Sequence, residues 1–261
     1  MEHPIKNNQT LVIITGGEIR HQYFINKLNA QFPIAAIFIE SKDFPEPPAT
    51  TDEEREAWNW FFDRRKIFET RTITPKLNFK NQNKPDIFYL KKNELNSPHT
   101  QSLLNKYSPG FIAIFGTGII GDSLLSHYPD CIFNLHTGIP EFYRGSSCNF
   151  WPIHNGDLKM LGATVHRVEK GLDTGNIAVE QHIKLEMDDN EQSLIWKTLE
   201  TGAQLMAETI EKWKSGTLHL KKQKRTGTLY KMKDLKPAAI LKVKKMVESG
   251  ELKLQIKSAL G

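Results

Sequence analysis

A chain of 261 residues, 39% of them hydrophobic and 25% charged, can bury one substantial core and leave a short segment over. Its two cysteines, Cys131 and Cys148, are too few for a disulfide framework, no apolar run approaches the ~20 residues that span a bilayer, and Met1 to Thr10 lacks a signal-peptide core; a secreted scaffold and a membrane protein are excluded, and a reducing cytoplasm is the expected location. The net charge of +5 invites nucleic acid, yet much of the excess sits in a run from Lys221 to Lys245, where a solvated basic face is the first reading and a phosphate-bearing ligand the second.

In chain order, Leu11-Val12-Ile13-Ile14 predicts a buried strand from Thr10 to Thr15, closed by Gly16-Gly17 and followed by a helix carrying Ile19, Tyr23, Phe24 and Leu28. Ile34 to Ile39 is the next buried strand. Strand, helix and strand make a βαβ unit, hence a parallel sheet with a right-handed crossover. Ligands of such sheets lie beyond the carboxyl ends of the strands, which puts Gly17 and Arg20 within reach of a substrate. The glycine pair lacks the dinucleotide fingerprint, so no nicotinamide cofactor is expected, and the same glycines serve a plain turn equally well.

Pro45, Pro47 and Pro48 then make a turn, and Thr51 or Asp52 caps a helix. Trp58, Phe61, Phe62, Arg65 and Phe68 run along that helix at a spacing that suits core packing better than base stacking. A polar stretch from Thr70 to Lys84 leads to a short strand, Asp86 to Leu90. His99 to Tyr107 predicts a short helix, Phe111 to Phe115 an apolar strand running into Gly116-Thr117-Gly118-Ile119-Ile120-Gly121, Ser123 to Tyr128 a connecting helix, and Cys131 to Leu135 a central strand. After a helix over 149–155 come strands from Gly162 to Glu169 and from Asn176 to Lys184, then a long amphipathic helix capped within Asp188 to Glu191 and stopped at Lys214-Ser215-Gly216. Beyond Thr217, Leu218 to Leu220 and Thr228 to Tyr230 read as strands, and Pro237 to Val247 as a helix stopped by Gly250.

Chemistry concentrates at the end of the central strand. Asn134 and His136 are two residues apart and so share one strand face, where an amide and an imidazole can address a single reacting carbonyl. Asp173 lies in the loop Gly171-Leu172-Asp173-Thr174-Gly175, from which a carboxylate can orient or charge the imidazole. An oxyanion stabiliser with a proton acceptor is a minimal kit for acyl transfer to an amine. The competing reading is a polar strand end satisfied inside an ordinary core.

These residues, together with Tyr143-Arg144-Gly145 and the Gly162-x-Thr164-x-His166 strand, resemble in order and spacing the formyltransferases that use 10-formyltetrahydrofolate. The resemblance spans roughly residues 10–215 as an order of elements and is sharp from about 111 to 180. It implies an α/β fold: an open, mostly parallel twisted sheet with a Rossmann-like formyltransferase core in residues 1–216, within which 44–99 is a substrate-specific insertion or lid, and a small basic α+β appendage in 217–261. It also implies 10-formyltetrahydrofolate as the formyl donor, with no metal. By position it puts Gly118, Ile119, Ile120 and Leu172 at the folate, and gives the formyl oxygen to His136 and Asn134. Asp173 would hold His136 charged and accept or relay the amine's proton, and His166 would be structural. One departure is that proline falls a place late in Thr137-Gly138-Ile139-Pro140-Glu141, so the loop after His136 need not follow the family's path.

The acceptor is approached by elimination within the family. Methionyl-tRNA formyltransferases carry a much longer tail, glycinamide ribonucleotide formyltransferases end near the long helix, and formyltetrahydrofolate hydrolases add an N-terminal domain; what is left resembles the sugar N-formyltransferases. The expected partner is a small-molecule amine, the amino group of a sugar nucleotide, with no membrane, no nucleic acid, and a homodimer left open. Its diphosphate would meet Gly17, Arg20 and Arg144. Two alternatives stay in view: a glycinamide ribonucleotide-like acceptor, and a non-catalytic basic protein whose affinity for nucleic acid would fall steeply with salt.

Overall fold

The computed structural model of the protein describes residues 9–41, 46–77 and 84–261. The polar chain start before Gln9, Pro45 of the proline turn, and 78–83 within the polar stretch lie outside the described residues.

β1 (Leu11–Thr15) and α1 (Ile19–Asn29) lead to β2 (Ile34–Glu40). α2 (Asp52–Phe68), capped by the Thr51 hydroxyl on the Glu54 N–H, passes through a π-helical turn at Glu69–Ile73 toward β3 (Asp86–Leu90). α3 (Pro98–Asn105), β4 (Phe111–Phe115), α4 (Asp122–His127) and β5 (Ile132–His136) follow. The short β6 (Tyr143–Gly145) and α5 (Trp151–Asn155) precede β7 (Gly162–Arg167), β8 (Ile177–His182) and the long α6 (Glu191–Lys214). β9 (Thr228–Tyr230), α7 (Pro237–Glu248) and α8 (Glu251–Leu260) come last.

One sheet runs in the order β3-β2-β1-β4-β5-β7-β8, parallel from β3 to β5 and antiparallel from β5 to β8, which is the open, mostly parallel α/β sheet expected. Strands that are apolar throughout need cover on both faces. Leu11 and Ile13 of β1, with Phe111 and Ala113 of β4, bury against Phe24 of α1 and Met206 of α6. The residues between them, Val12, Ile14, Ile112 and Ile114, point the other way, toward Leu104 of α3 and Leu124 of α4. A third core joins Trp58 and Phe61 of α2 to Tyr143, Phe150, Ile240, Val243 and Ile256. Through it the segment 217–261 packs on α2, while β9 pairs in parallel with β6. The segment 44–99 supplies α2 and the edge strand β3. No helix of the described residues is long and apolar enough to cross a membrane.

Two expectations for the C-terminal segment change. Leu218 to Leu220 forms no strand: both leucines pack on the first core and only Lys221 bridges to Ile177, so burial without a hydrogen-bonded ladder accounts for the alternation. Gly250 ends α7 but, at φ +80°, turns the chain directly into α8, whose Leu252 and Ile256 are buried. A glycine stop here marks a corner between helices.

Candidate active site

β5 lies where the sheet changes direction, with parallel β4 on one side and antiparallel β7 on the other, which pairs Asn134 with His166 and His136 with Thr164. The end of β5 opens on a cleft of about 1600 Å³ that Asn134, His136, His166 and Asp173 all line. The loop after His136 is drawn in by Thr164, whose hydroxyl donates to the Gly138 carbonyl at 2.9 Å. A Cβ at Gly138 would lie 2.7 Å from the Cys148 Cβ and 2.8 Å from His136 Nε2, so this path of the loop requires glycine there. The loop then enters β6, where the Tyr143 carbonyl accepts the His136 Nε2–H at 2.9 Å. A carbonyl only accepts, which fixes a proton on Nε2 and leaves Nδ1 facing Asp173 Oδ2 at 3.4 Å.

Asp173 gathers the other groups. Its Oδ1 accepts from Asn134 Nδ2 at 3.3 Å and lies 3.2 Å from His166 Nε2, while Oδ2 accepts the Gly145 N–H at 2.7 Å. Burial alone would raise its carboxyl, but the His136 and His166 imidazoles and the Gly145 amide outweigh burial and hold it well below the usual carboxylate range. The loop is tightly built: Asp173 adopts φ +51°, and a Cβ on Gly175 would run into the Arg167 carbonyl. From the C-terminal segment, Gln223 Nε2 donates to the Asp173 carbonyl at 2.8 Å and the Gly175 carbonyl at 2.9 Å. His166, read from sequence as structural, thus touches both Asp173 and, at 3.2 Å, Asn134. Only the register of β5 against β7 could reveal that contact.

Gly118, Ile119 and Ile120, which follow β4, and Leu172 of the Asp173 loop all line the cleft. Ile119 is 69% exposed and Leu172 39%, so both offer apolar surface, whereas Ile120 is buried in the core beneath. Side chains brace this backbone from behind: Glu40 Oε2 accepts the Gly118 N–H at 2.6 Å, and Asn96 accepts the Gly121 N–H at 2.6 Å and donates to the Ile119 carbonyl at 2.8 Å. A held backbone edge beside exposed apolar side chains fits a flat pterin ring. Neither brace was foreseen, although Glu40 stands at the carboxyl end of a strand, where ligands gather.

On the β1 side, Gly17 and Arg20 line the cleft, and Arg20 pairs with Glu69 at 3.2 Å. Arg144 does not line it. Within β6 its neighbours Tyr143 and Gly145 supply the carbonyl and amide of the site, and the half-buried Arg144 side chain, its Nε without a hydrogen-bond partner, lies near Cys148 instead. Arg65, counted from sequence only as part of a packed helix, does line the cleft.

A family model described as "Formyl transferase" matches residues 62–210, more than half of the chain. The methionyl-tRNA formyltransferase of Caldanaerobacter subterraneus subsp. tengcongensis is 35% identical over 131 residues, covering 49% of this chain and 42% of that protein. The chain thus spans under half the length of this curated relative. The formyltransferase PseJ of Anoxybacillus kamchatkensis, solved with UDP-4,6-dideoxy-4-formamido-L-AltNAc and tetrahydrofolate, superimposes with a TM-score of 0.50 at 17% identity, over 86% of this chain and 87% of that one. Glycinamide ribonucleotide transformylase 1 of Symbiobacterium toebii gives 0.56 at 16% identity, over 86% and 96%. At such identities the two structures speak to the fold alone.

Proposed function

This chain belongs to the formyl transferase family, and from that premise we propose that it transfers the formyl group of 10-formyltetrahydrofolate to the primary amine of a nucleotide-linked amino sugar. The observation that carries this reading is Asp173, bound to Asn134 and facing His136, on the wall of a cleft of about 1600 Å³. A pocket for a single drug-sized ligand measures roughly 300–1,000 Å³, so the cleft admits a donor and an acceptor together.

10-Formyltetrahydrofolate supplies the reactive carbon. Gly118, Ile119 and Leu172 hold its ring against the loop braced by Glu40 and Asn96. Asn134 donates one Nδ2 hydrogen to Asp173, which leaves the other for the formyl oxygen and its own carbonyl oxygen to accept from the attacking amine and align it. His136 is anchored through Nε2, and its Nδ1 contact of 3.4 Å to Asp173 is long enough to be shared with the negative charge that develops on the formyl oxygen. A carboxylate held as low as Asp173 is a weak base, so its part is to support a positive imidazole; the amine's proton leaves to water, and as the C–N10 bond breaks the departing tetrahydrofolate nitrogen takes a proton back from water. In this reading 1–216 is the catalytic unit, 44–99 shapes the acceptor side and 217–261 braces both catalytic loops. The thiols of Cys131 and Cys148 are free, in keeping with a cytoplasmic location.

A small phosphorylated acceptor is supported by the concave cleft with Arg20 and Arg65 on its wall, and by a fold shared with an enzyme solved with a UDP-sugar. One observation favours a second reading, formylation of an aminoacyl-tRNA: the 35% identity to a methionyl-tRNA formyltransferase. The test is tetrahydrofolate release from 10-formyltetrahydrofolate with UDP- and dTDP-linked amino sugars, glycinamide ribonucleotide and methionyl-tRNA. Turnover is expected with an amino-sugar nucleotide; turnover with methionyl-tRNA alone replaces that acceptor, and release with no amine at all removes the catalytic assignment.

A further inference from the structure

α2 carries Arg64-Arg65-Lys66, and the three cations have different surroundings. Arg64 is neutralised, its Nε and Nη2 both donating to the buried Glu191 carboxylate, the latter at 3.1 Å. Lys66 is exposed. Arg65 lines the cleft, its guanidinium 5.0 Å from the Phe61 ring and 5.1 Å from the Phe62 ring. Its Nε is buried without a hydrogen-bond partner, and no carboxylate of the described residues forms an ion pair with it. The charges of two carboxylates reach it, those of Glu69, which is bonded to Arg20, and of Glu18 on the same cleft. Burial and the charge of Arg20 push the Arg65 guanidinium down to about 10, which leaves it charged at neutral pH.

A half-buried cation with no ion-pair partner among the described residues is costly unless something answers it. The two phenylalanine rings answer in part, by cation–π attraction, and they also hold the planar fork in place. What remains is its two terminal amino groups, a pair of donors suited to two oxygens of one anion. We propose that Arg65, with Arg20, binds a phosphate of the acceptor; the inference rests on the small-acceptor reading above. Phosphate and the glutamyl carboxylates of a folate share this chemistry. Arg20 stands on the first turn of α1, directly after Gly16-Gly17 at the end of β1, on the side given to the acceptor, and pyrophosphate binding measured against tetrahydrofolate binding separates the two.

Titration calorimetry with inorganic pyrophosphate tests the site without any acceptor. Arg65→Met should weaken pyrophosphate binding about tenfold or more, as loss of charge-assisted hydrogen bonds does, and Arg65→Lys should lose less. Tetrahydrofolate binding should stay within about twofold in both variants, the glutamyl carboxylates having no part in this fork. With the acceptor that turns over, Arg65→Met should raise KM for that acceptor more than it lowers kcat. Pyrophosphate binding equal to wild type in a folded Arg65→Met protein overturns the proposal, as does a wild type that does not bind pyrophosphate. A loss confined to tetrahydrofolate also overturns it and gives the fork to the donor. If Arg65→Met does not fold, Arg65→Gln takes its place under the same criteria. The pyrophosphate result stands apart from the identity of the sugar, so the cation site and the acceptor reading can fail separately.

Discussion

Asp173 keeps its carboxylate charged inside the protein because two imidazoles and an amide face it. Folding lowers its pKa, so the ionised group contributes stability above the unfolded carboxyl's titration near about 3.9, and that contribution is lost as pH falls from there toward the lower folded value. The difference in unfolding free energy between wild type and Asp173→Asn should therefore be widest above about pH 5 and shrink progressively below about pH 4 in denaturant titrations. A difference that does not change with pH would mean that the charge is not what Asp173 contributes. His136→Ala should lower kcat about 10²-fold or more with tetrahydrofolate affinity nearly kept, since its interaction strengthens only as charge develops; a matching loss of folate affinity would make His136 a binding residue. The pair Asn134 and His136 was legible because residues two apart on a strand must share a face, and Asp173 because glycines flank it. His166, Glu40 and Arg65 were not, because each meets its site partners through strand register, a cross-sheet contact or a helix orientation that no local pattern encodes.

Elements read correctly where one local rule governs them. Phe111 to Phe115 and Asp86 to Leu90 are strands to the residue, since short apolar or β-favouring runs between turn residues leave little choice of bounds. The loop from Thr137 to Phe142 was the open question, and its displaced proline is accommodated by packing that only the folded chain supplies. Gly145→Ala should be more damaging than its small size suggests. At φ +91° a side chain is strained, and a Cβ would meet the Tyr230 carbonyl, so β6 must shift and the 2.7 Å amide contact to Asp173 must go with it. We expect a loss of about 1–3 kcal/mol in unfolding free energy together with reduced kcat; a variant that loses stability but keeps kcat would show that Gly145 does not position Asp173.

Across the whole molecule, the segment after Gly216 holds the loops of the candidate site from outside: β9 on β6, Gln223 on the Asp173 loop, α7 on α2. Removing 217–261 should therefore abolish formyl transfer and expose Trp58 and Phe61, read as aggregation and a lost near-ultraviolet signal; a soluble, fully active truncation would reduce the segment to an ornament. Its basic character tempts a nucleic-acid reading, and a steep fall of tRNA affinity with salt would support that rival. The pairing of β6 with β9 also sets an order of events in the cell. Ribosomes add roughly 5–20 residues per second, so Tyr143–Gly145 is made roughly 4–17 s before its partner Thr228–Tyr230, about 85 residues later. The nascent chain can fold its sheet while still being translated, yet the strand that presents the Tyr143 carbonyl and the Gly145 amide gains its partner only about 85 residues later. A message cut short anywhere upstream of residue 228 yields a protein without the finished site.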